Sequence, residues 1–309
     1  MDPQTTSPTA PTLGGPVISV GLPVFNGVRF LGQAIESILS QSFADLELII
    51  SDNASTDDTR QICEHYIRQD SRIRYFRQNT NVGASRNWNF VVGLARGRFF
   101  KWASANDYCD PTMLSKCADI LEQDPRVILC YPRTNLVDDS NNPLGIYDGD
   151  IAVTDERPSD RYKRIRTRLA LNNAQSGLIR VDSLKRTRLE RVYPAGDMVL
   201  MAELALLGYF WLLPDALFYR RMDKTSASRF LSAVELRQFI DPQSTSNNAF
   251  SHWRIHRDHV ELIRRSSISA LEKLRCAHVV LRHAYWDRPR LWGEARMLFA
   301  GTHHVRRSD

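Results

Sequence analysis

Short apolar runs alternate with amphipathic segments along the first 130 residues. The apolar, β-branched runs predict buried strands at residues 17–24, 46–50, 72–77, 98–103 and 127–131. Apolar positions at helical spacing predict helices at residues 30–39, 85–95 and 111–123, and a polar helix ends near residue 68. Strands that alternate with helices through short links are typical of a mostly parallel sheet that is covered on both faces. The chain therefore begins as an α/β fold.

The pattern becomes less regular after residue 138. It predicts a polar stretch through residue 160, a basic helix near 162–171, a strand near 176–181, an apolar helix at 198–207, and strands at 209–213 and 216–219 separated by Pro214-Asp215. Only helices are predicted further on, at 231–239, 252–264, 268–283 and 290–299. This pattern divides the chain into a disordered tail (1–15), an α/β domain with two halves (16–135 and 136–228) and a basic helical C-terminal region (229–309).

The charge is concentrated in the last part of the chain. Residues 251–309 contain twelve Lys and Arg against six Asp and Glu, which equals the whole net charge of +6. Because the rest of the chain is balanced and no reader motif accompanies the basic helices, a nucleic-acid partner is not expected. The five cysteines are scattered and the N-terminal segment resembles neither a signal peptide nor an anchor. We therefore expect a cytoplasmic protein.

Polar residues follow four of the predicted strands at the points where the strands end. The four loops contain Asn26-Gly27, then Ser51-Asp52-Asn53, then Asn79, Asn81 and Gly83, and finally Ser104, Asn106, Asp107 and Asp110. Ligands bind to open α/β sheets at the carboxyl ends of the strands, so these loops predict a ligand site. The chain has no Gly-rich dinucleotide loop and no Walker-type Lys after a glycine run, which argues against a dehydrogenase or a kinase.

Three motifs in these loops resemble, as an ordered set, the family 2 glycosyltransferases. The motifs are Gly21-Leu22-Pro23-Val24-Phe25-Asn26-Gly27, Ser51-Asp52-Asn53-Ala54-Ser55-Thr56-Asp57 and Asn81-Val82-Gly83-Ala84-Ser85-Arg86-Asn87. The resemblance covers residues 17–131 firmly, continues more loosely to residue 221 and does not extend into the helices that follow. It implies a GT-A fold, that is, a Rossmann-like mixed α/β sheet flanked by helices, here with a C-terminal helical extension.

The resemblance also implies an activity. The protein would be an inverting glycosyltransferase that moves a sugar from a nucleotide-diphospho-sugar to an acceptor hydroxyl in bacterial-type glycan or glycolipid synthesis. Its partners would be that donor and a carbohydrate or lipid-linked acceptor.

The residues that the resemblance assigns to the donor are Pro23, Phe25, Asn26, Asp52, Asn81, Gly83 and Arg86. The first three would line the nucleoside pocket, and Asp52 would accept hydrogen bonds from the base or the ribose. Chemically this is reasonable, because a carboxylate accepts from N–H and O–H groups and an arginine can face a diphosphate. Considered alone, Asp52 would be interpreted as a helix cap.

The loop after the fourth strand carries, in this family, an Asp-x-Asp pattern that holds Mg²⁺ or Mn²⁺ against the donor phosphates. The matching residues are Ser104-Ala105-Asn106-Asp107, so one carboxylate remains. Since Mg²⁺ is normally held by one or two carboxylates together with phosphates and waters, the resemblance implies a weakened divalent-cation site at Asp107 with Asn106. A capping role for Asp107 is the competing interpretation. A metal-free alternative would neutralise the leaving diphosphate with Arg86, Lys101 or Arg220.

Inverting transfer needs a carboxylate that takes the proton of the acceptor hydroxyl. The family places it at a helix start, and Gly196-Asp197 is the best match, although the common form there is Glu-Asp. Asp197 is therefore the expected catalytic base, Glu203 is the alternative, and a helix N-cap is the competing interpretation of Asp197. Tyr219-Arg220-Arg221 with Lys224-Thr225-Ser226 resembles a basic segment that closes over the donor phosphates, and otherwise is a solvated basic edge.

Two other functions remain open on the same scaffold. A sugar nucleotidyltransferase would be expected to carry a Gly-rich N-terminal phosphate loop, which this chain lacks. A catalytically silent protein that binds nucleotide sugars is supported by Ser104-Ala105-Asn106, where carboxylates are missing.

The predicted C-terminal helices have one apolar and one basic side. Most such helices pack on the body of a protein with a solvated face. Peripheral contact with an anionic membrane at its inner face is the alternative, with Trp286 and Trp292 at the interface.

Overall fold

The structure, a computed structural model, describes residues 15–222, 233–243 and 251–301. The first half contains β1 (Ile18–Val24), α1 (Leu31–Leu39), β2 (Leu46–Asp52), α2 (Thr59–Gln69), β3 (Ile73–Arg77), α3 (Ala84–Gly93), β4 (Phe99–Trp102), β5 (Tyr108–Cys109) and α4 (Met113–Gln123). The second half contains β6 (Val127–Val137), β7 (Pro143–Ile146), α5 (Pro158–Arg168), a 3-10 helix (Asn173–Ser176), β8 (Leu178–Arg180), α6 (Val181–Lys185), α7 (Gly196–Leu207) and β9 (Tyr209–Arg221). The C-terminal helices are α8 (Ala233–Ile240), α9 (Ser251–Arg265), α10 (Ala270–Trp286) and α11 (Arg288–Gly301).

The strands form one mixed sheet of nine strands in the order β3-β2-β1-β4-β8-β6-β9-β5, with β7 paired to β6. Strands β3, β2, β1 and β4 are parallel, and β8 runs antiparallel between β4 and β6. Every residue of β1 and β2 is buried, as parallel strands covered by helices on both faces require. The predicted mixed α/β sheet with flanking helices is confirmed, and the parallel strands bring the ends of β1, β2, β3 and β4 to one edge.

Three details of the second half differ from the predicted pattern. The two strands predicted on either side of Pro214-Asp215 are one strand, β9. Its pairing with β6 passes from Pro132↔Leu213 to Arg133↔Ala216, so a bulge accommodates the proline inside the strand. The strand predicted at 176–181 is shorter, because a 3-10 helix precedes β8, and β7 lies in the stretch that was predicted to be only polar.

Two hydrophobic cores cover the two faces of the sheet. One core joins the sheet to α1, α2 and α4. The other joins it to α3, α5 and α7, and α9 and α10 contribute to this same core. The residues that they bury there are Leu262, Ile263, Cys276, Val279 and Val280. The C-terminal helices therefore pack directly on the body of the protein.

None of the helices in the described ranges is long and apolar enough to cross a membrane. The five cysteines are free and buried.

Candidate active site

Asp52 ends β2 beside the end of β3, and its carboxylate is fully buried. Its Oδ1 accepts the backbone N–H of Ser55 at 2.8 Å, and its Oδ2 accepts the hydroxyl of Tyr75 at 2.8 Å and the Nη1 of Arg77. The bond to Ser55 closes a turn in the loop before α2, whose N-cap is Asp58, so Asp52 is not the cap of that helix. The other two bonds make Asp52 the anchor of Arg77, whose guanidinium stays partly exposed at the sheet edge.

Tyr75 and Arg77 were missed in the sequence. The available signal was strand register, because the parallel pairing places Arg77 opposite Asp52. A motif within one loop does not show which residues of two neighbouring strands lie side by side.

Hydrogen bonds connect the β1–α1 loop to the loop that follows β2. Asn26 adopts a φ of 51°, and its Oδ1 accepts the backbone N–H of Thr56 at 2.9 Å. The N–H of Asn26 donates to the Oγ of Ser55 at 2.9 Å. Pro23 is buried in β1, whereas the ring of Phe25 is exposed. Of these three predicted donor residues, Phe25 and Asn26 are thus exposed, and Asn26 also holds two loops together.

The β3–α3 loop is held by a pair of asparagines. The Oδ1 of Asn81 accepts the Nδ2 of Asn53 at 2.8 Å and the N–H of Gly83 at 2.9 Å, and the Oδ1 of Asn53 accepts the N–H of Val82 at 2.9 Å. Asn81 therefore shapes the loop that begins α3.

Arg86 lies on the first turns of α3 and forms an ion pair with Asp241, with an Nη1–Oδ1 distance of 2.7 Å. Asp241 follows α8, so this helix lies over the loop that the resemblance assigns to the donor. The contact was not predicted, because the resemblance ends at residue 221 and Asp241 carries no motif. The guanidinium of Arg86, a residue predicted to contact the donor, is thus paired with the carboxylate of Asp241.

The Asp107 loop is fastened to the last strand of the sheet. Asp107 is half-buried, and its Oδ1 accepts the backbone N–H of Arg221 at 2.9 Å. Tyr108 and Tyr219 pair across β5 and β9, and their rings stack with centroids 4.5 Å apart. Burial raises the pKa of Asp107, and the Arg221 N–H and the nearby Arg220 and Lys101 partly offset this effect.

The cations around Asp107 differ in how far they reach the surface. Lys101 is almost fully buried, and its Nζ donates to the carbonyls of Trp102 and Ser176. Arg221 is 1% exposed and is discussed below. Arg220 is half-buried and donates to the Oδ1 of Asn173 at 2.7 Å. Of the cations near Asp107, Arg220 is thus the one placed near the surface. Lys224-Thr225-Ser226 lie outside the described residues.

The side chains at Asp107 fit a cation site whose coordination is completed by the phosphates of the sugar donor. Among the described residues, no group of three or more His, Cys, Asp or Glu side chains is arranged to hold a metal ion. Asp107 supplies one carboxylate, and Asn106 supplies an amide oxygen in the same loop. Because Mg²⁺ commonly takes one or two carboxylates and fills its remaining positions with phosphates and waters, this set suffices only when a diphosphate is bound.

Asp197 lies in the first turn of α7, and its Oδ2 accepts the Nδ2 of Asn172 at 2.9 Å. The N-cap of α7 is Ala195, so Asp197 is not that cap. Asn172 is followed by Asn173, the partner of Arg220. Two adjacent asparagines therefore connect Asp197 to the cation beside Asp107, which brings the predicted acids toward one edge of the molecule.

Glu203, the alternative base, accepts the backbone N–H of Arg188 at 3.1 Å. Burial raises the pKa of Glu203, and Arg188 opposes this shift. The side chain therefore supports the loop before α7.

Comparison with known proteins identifies the family. The sequence profile of Glycosyl transferase family 2 matches residues 19–185, more than half of the chain. The protein is a member of glycosyl transferase family 2. The match includes the Asp52 and Asp107 loops and extends beyond residues 17–131, where the resemblance is firm. It confirms the family predicted from the three motifs.

Curated relatives of this glycosyltransferase match over part of its length. Glycosyltransferase GlyG of Streptococcus pneumoniae is 29% identical over 114 residues, which cover 37% of this chain and 38% of that protein. The GalNAc(5)-diNAcBac-PP-undecaprenol beta-1,3-glucosyltransferase of Campylobacter jejuni is 40% identical over 93 residues, 30% of this chain and 30% of that protein. The chain thus spans about a third of these relatives.

Solved structures match over nearly the whole chain. S. aureus TarS 1–349 in complex with UDP-GlcNAc superimposes with a TM-score of 0.65 at 17% identity, covering 90% of this chain and 79% of that chain. Mannosyltransferase PcManGT from Pyrobaculum calidifontis, in complex with GDP-Man and Mn²⁺, gives a TM-score of 0.51 at 15% identity, covering 96% and 89%. At these identities the likeness establishes the GT-A fold.

Proposed function

We propose that this glycosyltransferase moves a sugar from a nucleotide-diphospho-sugar to an acceptor hydroxyl with inversion at the anomeric carbon. The observation that carries the proposal is the placement of Asp107 and Asp197. Asp107 is fastened to β9, and Asp197 is connected through Asn172 and Asn173 to Arg220, which lies near Asp107. A leaving-group site and a proton acceptor on one edge are what displacement at a sugar carbon requires.

The first half of the α/β domain, residues 16–135, binds the nucleoside diphosphate of the donor. Pro23, Phe25 and Asn26 line the nucleoside pocket, where Phe25 offers an exposed ring and the Asp52–Arg77 pair offers a fixed guanidinium. Asp107 with Asn106 would hold Mg²⁺ or Mn²⁺, and a bound cation supplies charge neutralisation for the departing diphosphate. Support for a cation also comes from PcManGT, whose structure contains Mn²⁺.

Asp197 acts as the base in this proposal. Its carboxylate takes the proton of the acceptor hydroxyl while the oxygen forms a bond to the anomeric carbon. The bond from that carbon to the diphosphate oxygen breaks, and the nucleoside diphosphate leaves with the electron pair. Arg220, beside Asp107, stabilises the negative charge that develops there.

The acceptor is a carbohydrate or a lipid-linked glycan. The Campylobacter jejuni relative has a name that includes an undecaprenol-linked saccharide, and that relative is 40% identical to this chain over 93 residues. A lipid-linked acceptor would require the protein to work at a membrane surface.

An exposed apolar stripe on α10 fits such a surface. The helix buries Cys276, Val279 and Val280 on its inner side. Its outer side exposes four large apolar side chains over four turns, namely Leu271, Leu274, Leu281 and Tyr285. Helix α10 carries three Lys and Arg side chains and one acidic side chain. The guanidinium of Arg282 stacks on the ring of Trp286, which is partly exposed. We propose that this stripe lies on an anionic lipid surface on the cytoplasmic side.

The lipid proposal is tested by sedimentation with vesicles of phosphatidylcholine containing phosphatidylglycerol. The double change Leu274→Asp and Leu281→Asp should abolish sedimentation, since both side chains are 69% exposed and carry the stripe. Leu144→Asp is the control, because Leu144 is 56% exposed on β7, away from α10. Equal sedimentation of the double variant and the wild-type protein would contradict the proposal. The proposal would also be contradicted if the wild-type protein bound no vesicles but self-associated, and the double variant did not self-associate.

The transferase activity is tested with uridine, guanosine and thymidine diphosphate sugars, each with and without Mn²⁺. Release of sugar and nucleoside diphosphate supports transfer chemistry. Tight nucleotide binding without turnover would support the silent protein, for which the Arg86–Asp241 pair beside the donor loops is an additional argument. Formation of nucleoside triphosphate when pyrophosphate is added would support a nucleotidyltransferase.

A further inference from the structure

Glu190 is a half-buried carboxylate in the segment between α6 and α7. Its Oε1 accepts the hydroxyl of Ser85, in the first turn of α3, at 2.9 Å. The backbone of Glu190 is fixed separately, because its N–H donates to the Oδ1 of Asn89 at 3.0 Å and its carbonyl accepts the Nδ2 of Asn89 at 2.8 Å. The position of this segment therefore does not depend on the carboxylate itself.

A path of amide groups connects Glu190 with Asp197. The Nε2 of Gln175 lies 3.5 Å from the Oε2 of Glu190, and the Nδ2 of Asn172 donates to the Oε1 of Gln175 at 3.1 Å. The same Nδ2 donates to the Oδ2 of Asp197 at 2.9 Å. Both carboxylates thus belong to one hydrogen-bonded group that is centred on the 3-10 helix.

The two carboxylates interact electrostatically. Burial raises the pKa of Glu190 to about 7, and the charge of Asp197 contributes to the same direction, while the hydrogen bonds from Ser85 and Gln175 oppose it. Among the described residues, Asp197 is the charged group that faces Glu190 from α7, whereas α3 and the 3-10 helix present Ser85, Asn89 and Gln175, which are neutral.

We propose that Glu190 is a positioning residue for the reaction and forms an acid pair with Asp197, in which ionised Glu190 accepts from Gln175 and so orients the Asn172 amide that donates to Asp197. This inference rests on the proposed function, in which Asp197 takes the proton of the acceptor hydroxyl. Glu190 neither gains nor loses a proton in that step. The position before Asp197 is Gly196 rather than an acid, and Glu190 supplies the second carboxylate from a different segment of the chain.

A purely structural role for Glu190 would give different results. Because Asn89 fixes the backbone of Glu190, a glutamine at this position keeps the segment in place and retains an oxygen for Ser85. Glu190→Gln removes the charge and the ionisation, and it replaces the oxygen that faces Gln175 with an amide NH2 group, which interrupts the path to Asp197. Glu203→Gln is the matched control, since Glu203 is a half-buried carboxylate with a raised pKa that faces Arg188 instead.

The experiment is the pH profile of kcat and kcat/KM from pH 5 to 9, with the donor that the panel identifies. The wild-type rate should rise with an apparent pKa near 7, as Glu190 ionises. In Glu190→Gln, kcat at pH 8 should fall about tenfold, a fraction of what general-base catalysis supplies, while the donor KM stays constant and the inflection near pH 7 disappears. Glu190→Asp should restore the inflection, and Glu203→Gln should keep it.

An unchanged profile in Glu190→Gln would overturn the inference, and so would a loss that appears only in the donor KM. If the wild-type protein turns over no nucleotide sugar, the proposed function fails. The acid pair is then decided by carboxyl NMR titration of the protein alone. Asp197→Asn should lower the pKa of Glu190, because it removes the like charge, whereas an unchanged titration would show that no pair exists.

Discussion

Arg221 shows how a residue type that suggests ligand binding can be used inside the fold. Its guanidinium is almost fully buried and stacks over the ring of Phe30, with the Cζ 3.9 Å from the ring centroid. It donates to four groups from three other segments, namely the carbonyls of Asn106 and Asp138, the Oε1 of Gln33 and the Oδ1 of Asn141. Because these donors are engaged within the fold, the guanidinium of Arg221 supports the Asp107 loop and is not available to bind a donor phosphate.

The variant Arg221→Lys should therefore lower the free energy of unfolding by about 3 kcal/mol or more, because a lysine cannot reproduce the fork of donors and leaves buried carbonyls unsatisfied. Urea denaturation followed by circular dichroism measures this loss. Arg220→Lys is the control, since Arg220 has its hydrogen bond to Asn173 at the half-buried surface. Equal stabilities of the two variants would contradict the structural role of Arg221.

Asp107 is expected to matter for turnover and not for folding. Asp107→Asn keeps an oxygen for the Arg221 N–H and removes the negative charge. We expect kcat to fall about 100-fold or more, the scale found when one group that stabilises developing charge is removed, with the melting temperature unchanged. Asp110→Asn, which alters a carboxylate that accepts from Thr112 in the same loop, should retain activity. Full activity of Asp107→Asn with Mn²⁺ would contradict the proposed site.

The sequence predicted which loops lie at the functional edge, because strand ends and polar motifs are local features. It could not predict the partners of those residues. Arg77 is set against Asp52 by strand pairing, Asp241 reaches Arg86 from a helix more than 150 residues away in sequence, and Glu190 reaches Asp197 through amides of a 3-10 helix. Such contacts depend on how elements pack, and no spacing along the chain encodes them.

At the scale of elements, α8 packs closely on the loop that begins α3. Gly83 has φ 88° and ψ 159°, a conformation that is essentially restricted to glycine. A Cβ at this position would lie 2.2 Å from the carbonyl oxygen of Ile240, the last residue of α8. The glycine thus allows both the turn of the loop and the approach of the helix.

Gly83→Ala should therefore displace α8 and lower the free energy of unfolding by about 1–3 kcal/mol from backbone strain alone. Thermal unfolding measures the loss. Gly93→Ala provides the control, because Gly93 ends α3 and an added Cβ meets nothing within 4 Å. That control should be neutral or stabilised by up to about 1 kcal/mol, as expected for alanine in a helix. A Gly83→Ala variant as stable as the control would show that α8 does not pack there.

Two buried histidines and one half-buried histidine lie where the C-terminal helices meet α5. His256 and His259 lie on α9, and His283 lies on α10. Burial lowers the pKa of all three, to about 4 for His283, and the charge of Arg166 on α5 contributes to the lowering in each case. The Nδ1 of His259 lies 3.1 Å from the hydroxyl of Tyr162. These lowered pKa values keep the three imidazoles neutral in the folded protein near pH 7.

Acid should weaken this contact between elements. The pKa of each histidine is below the ordinary value of 6.5 in the folded protein, so the unfolded chain binds more protons as the pH falls below 6.5. The stability that neutral histidines allow is complete above pH 6.5 and is lost progressively toward pH 4. Denaturation at several pH values should show this decrease, and His259→Gln should reduce it. His65→Gln, at an exposed position on α2, should leave the decrease unchanged, whereas a flat stability between pH 7 and 4.5 would contradict the prediction.

At the scale of the whole molecule, the sequence predicted a boundary between an α/β domain and a basic helical region. Its basis was the change in pattern and charge after residue 228, and both features are local. The structure shows that α9 and α10 bury apolar residues in the core formed by α3, α5 and α7. Amphipathic periodicity gives the apolar side of a helix, but it does not tell which surface that side covers.

Removal of residues 251–309 should consequently unfold the remaining chain rather than release an appendage. The deletion takes Leu262, Ile263, Val279 and Val280 from the core. Complete burial of such a side chain contributes about 1.5–3 kcal/mol, so the loss approaches the about 5–15 kcal/mol that typically separates folded from unfolded states. We expect the truncated protein to aggregate or to lack a cooperative thermal transition, while the full chain unfolds in one transition by calorimetry. A truncated protein that melts cooperatively at the original temperature would mean that the α/β body folds without these helices. For this reason, surface substitutions on α10 and not deletions are the appropriate variants for measuring membrane contact, because they leave the shared core intact.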